Sequence, residues 1–288
     1  MPMVIVLSSF VAGSRVGGGV AQLALAPLKI DVALLPTVLL GRHPGWGAPG
    51  GGPVACETIA QMIDGVAANR LLDLADAVLI GYLPSLAHVA LAKNLIARAR
   101  AAPVAGISGR RLIVLDPIMG DYPKGLYLPE EVAKAIAAEL VPAADLLTPN
   151  LFEFERLCGR AFNDAESLQR AALAFGVPIA VTSTPLSEGL GILLAHDGAL
   201  YQAGSPKLAS APNGAGDLFA ALLTGHWISG APPAAALARA HGAVHEILRR
   251  AQKWSAPELP LAACQDVIAN PHLASAVSAL GLTRVLDK

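Results

Sequence analysis

The feature that most constrains this chain is an alternation of short, almost wholly apolar runs with longer Ala- and Leu-rich stretches. Val4–Leu7, Val32–Leu35, Ala77–Ile80, Leu112–Leu115, Asp145–Leu147 and Ile179–Val181 are such runs. Strands apolar on both faces must be covered on both faces, and helices between consecutive strands provide that cover. The pair Gly191–Ala195 and Ala199–Ala203 flanks His196-Asp197-Gly198, whose Asp-Gly is hairpin chemistry, so an antiparallel edge is expected late in the sheet. The expected fold is α/β: three layers, with a mostly parallel central sheet flanked by helices.

Helical stretches fall between these strands. In Val54–Leu72 the residues Ile59, Met62, Ile63 and Val66 recur at three- and four-residue spacing and predict one core-facing stripe. Leu218–Ser229, Pro233–Lys253 and Leu261–Ile268 are helical as well. Residues 1–288 are read as a single domain, since Gly41–Pro53 is the one long composition break. That segment reads as a functional loop over the sheet, with Gly50-Gly51-Gly52-Pro53 a mobile flap. It is no P-loop, because no Lys-Ser/Thr helix start follows.

With 54% hydrophobic and 15% charged residues among 288, the chain can bury a large core. A net charge of −1 excludes general affinity for nucleic acid or an anionic membrane. No apolar run reaches membrane-spanning length, and Met1–Leu7 reads as a strand rather than a signal segment. The scattered Cys56, Cys158 and Cys264 fit a reducing cytoplasm better than a disulfide framework.

Open α/β sheets collect ligands at the carboxyl ends of their strands. Here those ends are polar: Ser8-Ser9 with Val16-Gly17-Gly18-Gly19, Gly81-Tyr82, Asp116-Pro117-Ile118-Met119-Gly120-Asp121, Thr148-Pro149-Asn150-Leu151-Phe152-Glu153, and Thr182-Ser183-Thr184. Asp116, Asp121 and Glu153, with Asn150, are hard oxygen groups suited to Mg²⁺ that keeps waters and shares phosphate oxygens. Read singly, Asp116-Pro117 is a turn and Glu153 lies on a solvated helix face.

Pro212-Asn213-Gly214-Ala215-Gly216-Asp217 runs into a helix, so the amides around Gly214, Ala215 and Gly216 can cradle an anion and Asp217 can take a proton from an attacking alcohol. The plain alternative is an Asn-Gly turn before a helix capped by Asp217. The helix dipole, about 0.3–1 kcal/mol, is expected to keep Asp217 ionised. His241 and His245 share a helix face with Glu246 at metal-ligand spacing, yet no third ligand is evident, and the trio is read as structural.

Taken in order, these segments resemble the ribokinase-like small-molecule kinases, and within them the pyridoxal kinases, over nearly the whole chain. Ser8-Ser9-Phe10-Val11, His43-Pro44-Gly45-Trp46-Gly47, Gly81-Tyr82-Leu83, the Asp116–Asp121 and Thr148–Glu153 segments and Gly214-Ala215-Gly216-Asp217 carry the resemblance. It implies ATP-dependent phosphorylation of the 5′-hydroxymethyl group of pyridoxal, pyridoxine or pyridoxamine. Asp217 would be the base and Gly214–Gly216 the anion hole, with Mg²⁺ served by Asp116, Asp121 and Glu153. By the same resemblance Ser9, Val16, Leu40, His43, Tyr82 and Asn213 contact the acceptor. Asn150, Glu153, Thr182, Ser183, Gly214 and Gly216 meet the nucleotide, and its adenine is placed near Gly242–Val244. A homodimer is implied too.

Phe10, Gly18 and Pro44 depart from the family's usual His, Asn and Thr, all on the acceptor side. They keep two alternatives open: a hydroxymethylpyrimidine kinase, or a B6-binding protein without turnover. The former usually carries Cys where this chain has Asp217.

Overall fold

The computed structural model describes residues 1–187, 189–271 and 277–280. Its strands are β1 (Met3–Val11), β2 (Asp31–Leu40), β3 (Gly51–Pro53), β4 (Ala77–Ile80), β5 (Leu112–Leu115), β6 (Gly120–Asp121), β7 (Gly125–Leu126), β8 (Leu146–Leu147), β9 (Ile179–Leu186), β10 (Gly189–His196), β11 (Ala199–Ser205) and β12 (Ser278–Leu280). The α-helices are α1 (Gly18–Leu25), α2 (Cys56–Ala68), α3 (Leu71–Leu74), α4 (Leu86–Ala101), α5 (Glu130–Ala135), α6 (Leu151–Cys158), α7 (Ala165–Ala174), α8 (Ala215–Ile228), α9 (Pro233–Lys253) and α10 (Gln265–Ala269).

Ten strands form one sheet in the order β12-β11-β10-β9-β8-β5-β4-β1-β2-β3, and β6 pairs with β7 apart from it. The run from β9 to β2 is parallel throughout. Antiparallel strands close both edges, β3 on one side and β10 to β12 on the other. The expected fold class and the late antiparallel edge are both borne out. β1 shows why the central strands are apolar on every face: Val4 and Val6 enter one core, Ile5 and Leu7 the other. α1, α8 and α9 cover the first face, while α2, α4 and α7 cover the second.

The chain passes from β1 to β2 on one side, and β4 then joins on the other, so strand order reverses at β1 and β4. A cleft opens at the carboxyl ends of two strands where this happens. The opposite ends are tied down instead. Asp76 accepts the Met3 and Ser108 amides at 3.0 and 2.7 Å, and the buried Arg111 guanidinium donates to the carbonyls of Leu72, Ala75, Ala99 and Ala102. α8 is buried from Leu218 through Ile228 and packs between α1 and α9, so its start is rigidly aimed at the cleft. Truncating Leu218 or Leu222 there costs about 2–5 kcal/mol.

Four local expectations change. Gly50–Pro53 is not a free flap: Gly51–Pro53 pairs with Val38–Leu40, and Gly51, at φ +84°, comes so close to the Leu39 carbonyl that a Cβ would collide with it. Met62 is 36% exposed while Ile59 and Ile63 are buried, so the stripe on α2 is narrower than its spacing predicts. Arg70, in the left-handed region at φ 59°, separates α2 from α3. Asp145 precedes β8, where its carboxylate accepts the Ile113 amide at 2.7 Å and pairs with Arg100.

Candidate active site

Gly214 caps α8 from the left-handed region, φ 94°. A Cβ there would collide with the Arg15 carbonyl, so only glycine lets the helix start seat against the loop that follows β1. The first intrahelical bond runs from the Leu218 amide to the Gly214 carbonyl at 2.9 Å, which leaves the Ala215 and Gly216 amides without intrahelical acceptors. Asp217 lies in this first turn, and the Gly17 amide faces its carboxylate. A cavity sized for about one water is lined by Ser8, Gly17, Gly81, Asp116 and Asp217, among others. Thus the ends of β1, β4 and β5 meet the start of α8.

Burial pushes the Asp217 carboxyl up to about 6, outweighing the Gly17 amide and its own backbone amide. The helix dipole does not hold Asp217 at an ordinary carboxylate value, because loss of hydration is the larger effect, yet the group is still mostly ionised at neutral pH as expected. Asp116 is buried and raised well above the usual range, first by burial and then by the charges of Glu153 and Asp217. Among the described residues no Lys or Arg forms an ion pair with Asp116, Asp217 or Glu153.

Glu153 and Asn150 begin α6 as a capping box. The Asn150 side-chain oxygen accepts the Glu153 amide at 3.0 Å, and the Glu153 carboxylate accepts the Asn150 amide at 2.9 Å. The second Glu153 oxygen accepts the Met119 and Gly120 amides, and the Asn150 side-chain nitrogen donates to the Gly120 carbonyl. Glu153 is thus no solvated helix residue: it is 3% exposed, and burial raises it to about 8 despite three amides. This scaffold presents the β6–β7 hairpin, where Asp121 meets Lys124 at 4.0 Å and faces the Tyr127 hydroxyl. Asp121 Oδ1 and Thr148 Oγ1 are buried without hydrogen-bond partners. Among the described residues no three His, Cys, Asp or Glu side chains are grouped so as to hold a metal ion by themselves.

The residues expected on the acceptor side lie around the same strand ends. The Tyr82 amide donates to Ser8 Oγ at 3.3 Å, and Thr37 Oγ1 donates to the Tyr82 carbonyl at 2.7 Å. Ser9 packs on Gly17, Val16 is buried, and Leu40 pairs with Gly51. His43 Nδ1 accepts the Gly45 amide at 3.0 Å, which leaves the proton of the neutral ring on Nε2. Burial lowers the His43 pKa, and Lys124 lowers it further. Of the departures, Phe10 packs over Gly19, and Leu34 occupies the space a side chain at position 18 would need.

Asn150 bridges to Thr182, and Ser183 adopts φ 59° beside it. Asn213 lies in the turn before α8. Val244 is buried in the core on α9, one residue type among Ala243 and Ile247. The His241 and His245 rings stack at 6.3 Å, while Glu246 is taken by Arg249 and Arg250 at 2.6 and 3.0 Å, so the trio does not assemble a metal site. Sequence reasoning missed Thr148, Tyr127 and Lys124 as parts of this site. Thr148 had a signal, its position in the Thr148-Pro149-Asn150 segment; Lys124 had none, since its relation to Asp121 and His43 arises from the hairpin.

A family model described as phosphomethylpyrimidine kinase matches residues 53–261. The pyridoxal kinase PdxY of Leifsonia xyli is 31% identical over 284 residues, covering 96% of this chain and 98% of that relative. That of Pseudomonas fluorescens Pf-5 is 31% identical over 97% of this chain and 98% of its own length. Among solved structures, pyridoxal kinase from Leishmania donovani in complex with ADP and pyridoxamine superposes with a TM-score of 0.87 at 26% identity, covering 97% of this chain and 100% of that one. With a carboxylate at a helix start over a polar strand-end cleft, and with relatives that span nearly its whole length, the chain belongs to the phosphomethylpyrimidine kinase family and, within it, to the pyridoxal kinases.

Proposed function

We propose that this chain transfers the terminal phosphoryl group of ATP to the 5′-hydroxymethyl group of pyridoxal, pyridoxine or pyridoxamine, serving vitamin B6 salvage. The observation that carries the reading is the meeting of Asp217 and Asp116 over one cavity at the strand-order reversal. A carboxyl near pKa 6 is mostly ionised at neutral pH and is a better proton acceptor than an exposed aspartate. Asp217 takes the hydroxyl proton as that oxygen attacks the terminal phosphorus. The bond from phosphorus to the bridging oxygen breaks, and ADP leaves with its electron pair. The amides of Ala215 and Gly216 face the charge carried by the phosphoryl oxygens.

Asp116 and Asp121, with Glu153, would hold Mg²⁺ directly or through its waters, and the partnerless oxygen of Asp121 is a hard donor that fits it. When bound, the ion neutralises phosphate charge and orients the nucleotide. Asn150, Thr182 and Ser183 are the residues we assign to the phosphates, and Ser9, Val16, Leu40, His43, Tyr82 and Asn213 to the acceptor. We read the chain as one kinase domain on the evidence of a sheet running from Met3 to Leu280. Family resemblance supports a homodimer, which light scattering tests. Three free cysteines, and no described helix long and apolar enough to cross a membrane, support a cytoplasmic location.

The decisive experiment is ADP release by purified protein with ATP, Mg²⁺ and each of pyridoxal, pyridoxine, pyridoxamine and hydroxymethylpyrimidine. Turnover on a B6 vitamer is expected. Preference for hydroxymethylpyrimidine would move the substrate, and tight pyridoxal binding without turnover would leave a binding protein.

A further inference from the structure

The site gathers Asp116, Asp121, Glu153 and Asp217, and the ion pair of Lys124 with Asp121 is the one salt bridge to any of the four among the described residues. A phosphoryl group in transfer spreads negative charge over three oxygens and needs cations beyond its metal. Lys124 stands at the turn between β6 and β7. It is held there by a scaffold that admits little movement. A Cβ on Gly120 would collide with the Gly125 carbonyl and crowd the Phe152 ring, while the Tyr127 amide donates to the Met119 carbonyl at 2.7 Å.

The ammonium itself is loosely engaged. It is 59% exposed, 4.0 Å from Asp121 and 5.9 Å from the Tyr127 ring centroid. Its charge reaches His43 on the acceptor-side loop. It therefore stands beside one of the carboxylates assigned to the metal, and its charge is felt at the acceptor-side turn. Two other cations are committed elsewhere: Arg42 Nε donates to the Ala48 carbonyl, and Arg156 pairs with Glu130 at 2.5 Å.

We propose that Lys124 is a catalytic residue, leaving Asp121 to contact the oxygens of the phosphoryl group during its transfer from ATP to the acceptor hydroxyl. The proposal rests on the kinase reading above. In the step, the acceptor oxygen–phosphorus bond forms, the phosphorus–bridging oxygen bond breaks, the proton passes to Asp217, and Lys124 keeps all its protons.

The test compares wild type, Lys124→Met and Lys124→Arg. For the methionine variant, kcat is expected to fall at least ~30-fold while the Kd values for ADP and for pyridoxal, measured by calorimetry, stay within about three-fold. Arginine keeps the charge and should recover part of kcat. Fluoroaluminate with Mg²⁺ and ADP, which mimics the phosphoryl group in flight, should tighten pyridoxal binding to wild type and fail to do so in Lys124→Met. A kcat within two-fold of wild type, or a loss confined to the two Kd values, would overturn the role. Wild-type turnover run in parallel isolates the premise: its absence on every acceptor overturns the kinase reading, and this role with it.

Discussion

Asn150 and Glu153 cap each other across the first turn of α6, each side chain accepting the other's backbone amide, at 3.0 and 2.9 Å. The same two side chains reach back to Met119 and Gly120, so one capping box fixes both a helix start and the hairpin that carries Asp121. Helix capping here is also the means of aligning two strand ends.

Asn150→Ala removes the cap and the hold on the Gly120 carbonyl together. We expect a loss of about 0.5–2 kcal/mol in urea unfolding. KM for MgATP should rise several-fold while pyridoxal affinity is kept, which initial-rate kinetics and calorimetry separate.

Asp217→Asn keeps the shape of the first turn of α8 but cannot accept the hydroxyl proton. Turnover should fall by about 10²–10⁴ with nucleotide affinity within a few-fold. A near-normal rate would remove Asp217 from the role of base.

Activity should follow the ionisation of Asp217, which burial raises to about 6. The base works deprotonated, so kcat/KM is expected to be flat above this value and to fall about ten-fold per pH unit below it. A profile that stayed flat down to pH 5 would contradict that assignment.

Glu153 makes a separate prediction about stability without metal. Its folded value of about 8 lies above the unfolded carboxylate value, so the folded state binds the extra proton between them. This contribution is fully present below about pH 4.5 and is lost as pH rises through about 8. Relative to wild type, Glu153→Gln should therefore gain in melting temperature between pH 5 and pH 8 in EDTA, and added Mg²⁺ should narrow the difference.

Gly214→Ala places a side chain at φ 94° against the Arg15 carbonyl. The cost is about 1–3 kcal/mol of backbone strain. The start of α8 must shift, so kcat should drop more than acceptor affinity; thermal unfolding and steady-state rates test the two parts.

Much of the molecule was legible in the order of its residues. Ala77–Ile80 and Leu112–Leu115 are strands with every residue buried, because a run apolar at each position has no face to offer water. Pro233–Lys253 is α9 as its periodicity predicts. β3 and β12 were not legible, for Gly51–Pro53 and Ser278–Leu280 are too short to show a period and exist through their partners β2 and β11. Asp116, Glu153 and Asp217 stood out as polar groups at strand ends and a helix start. That Glu153 and Asp217 raise the pKa of Asp116 depends on β5, α6 and α8 being brought together.

By itself the sequence determined the layers, the parallel core, the polar strand ends and the carboxylates available for chemistry, since these follow from local patterning and from which residues can be buried. Only the tertiary structure decided how those carboxylates behave and which cation stands beside them. Desolvation and proximity are set by whatever packs around a group, so the raised Asp217, the buried Glu153 and the pairing of Lys124 with Asp121 belong to the fold as a whole.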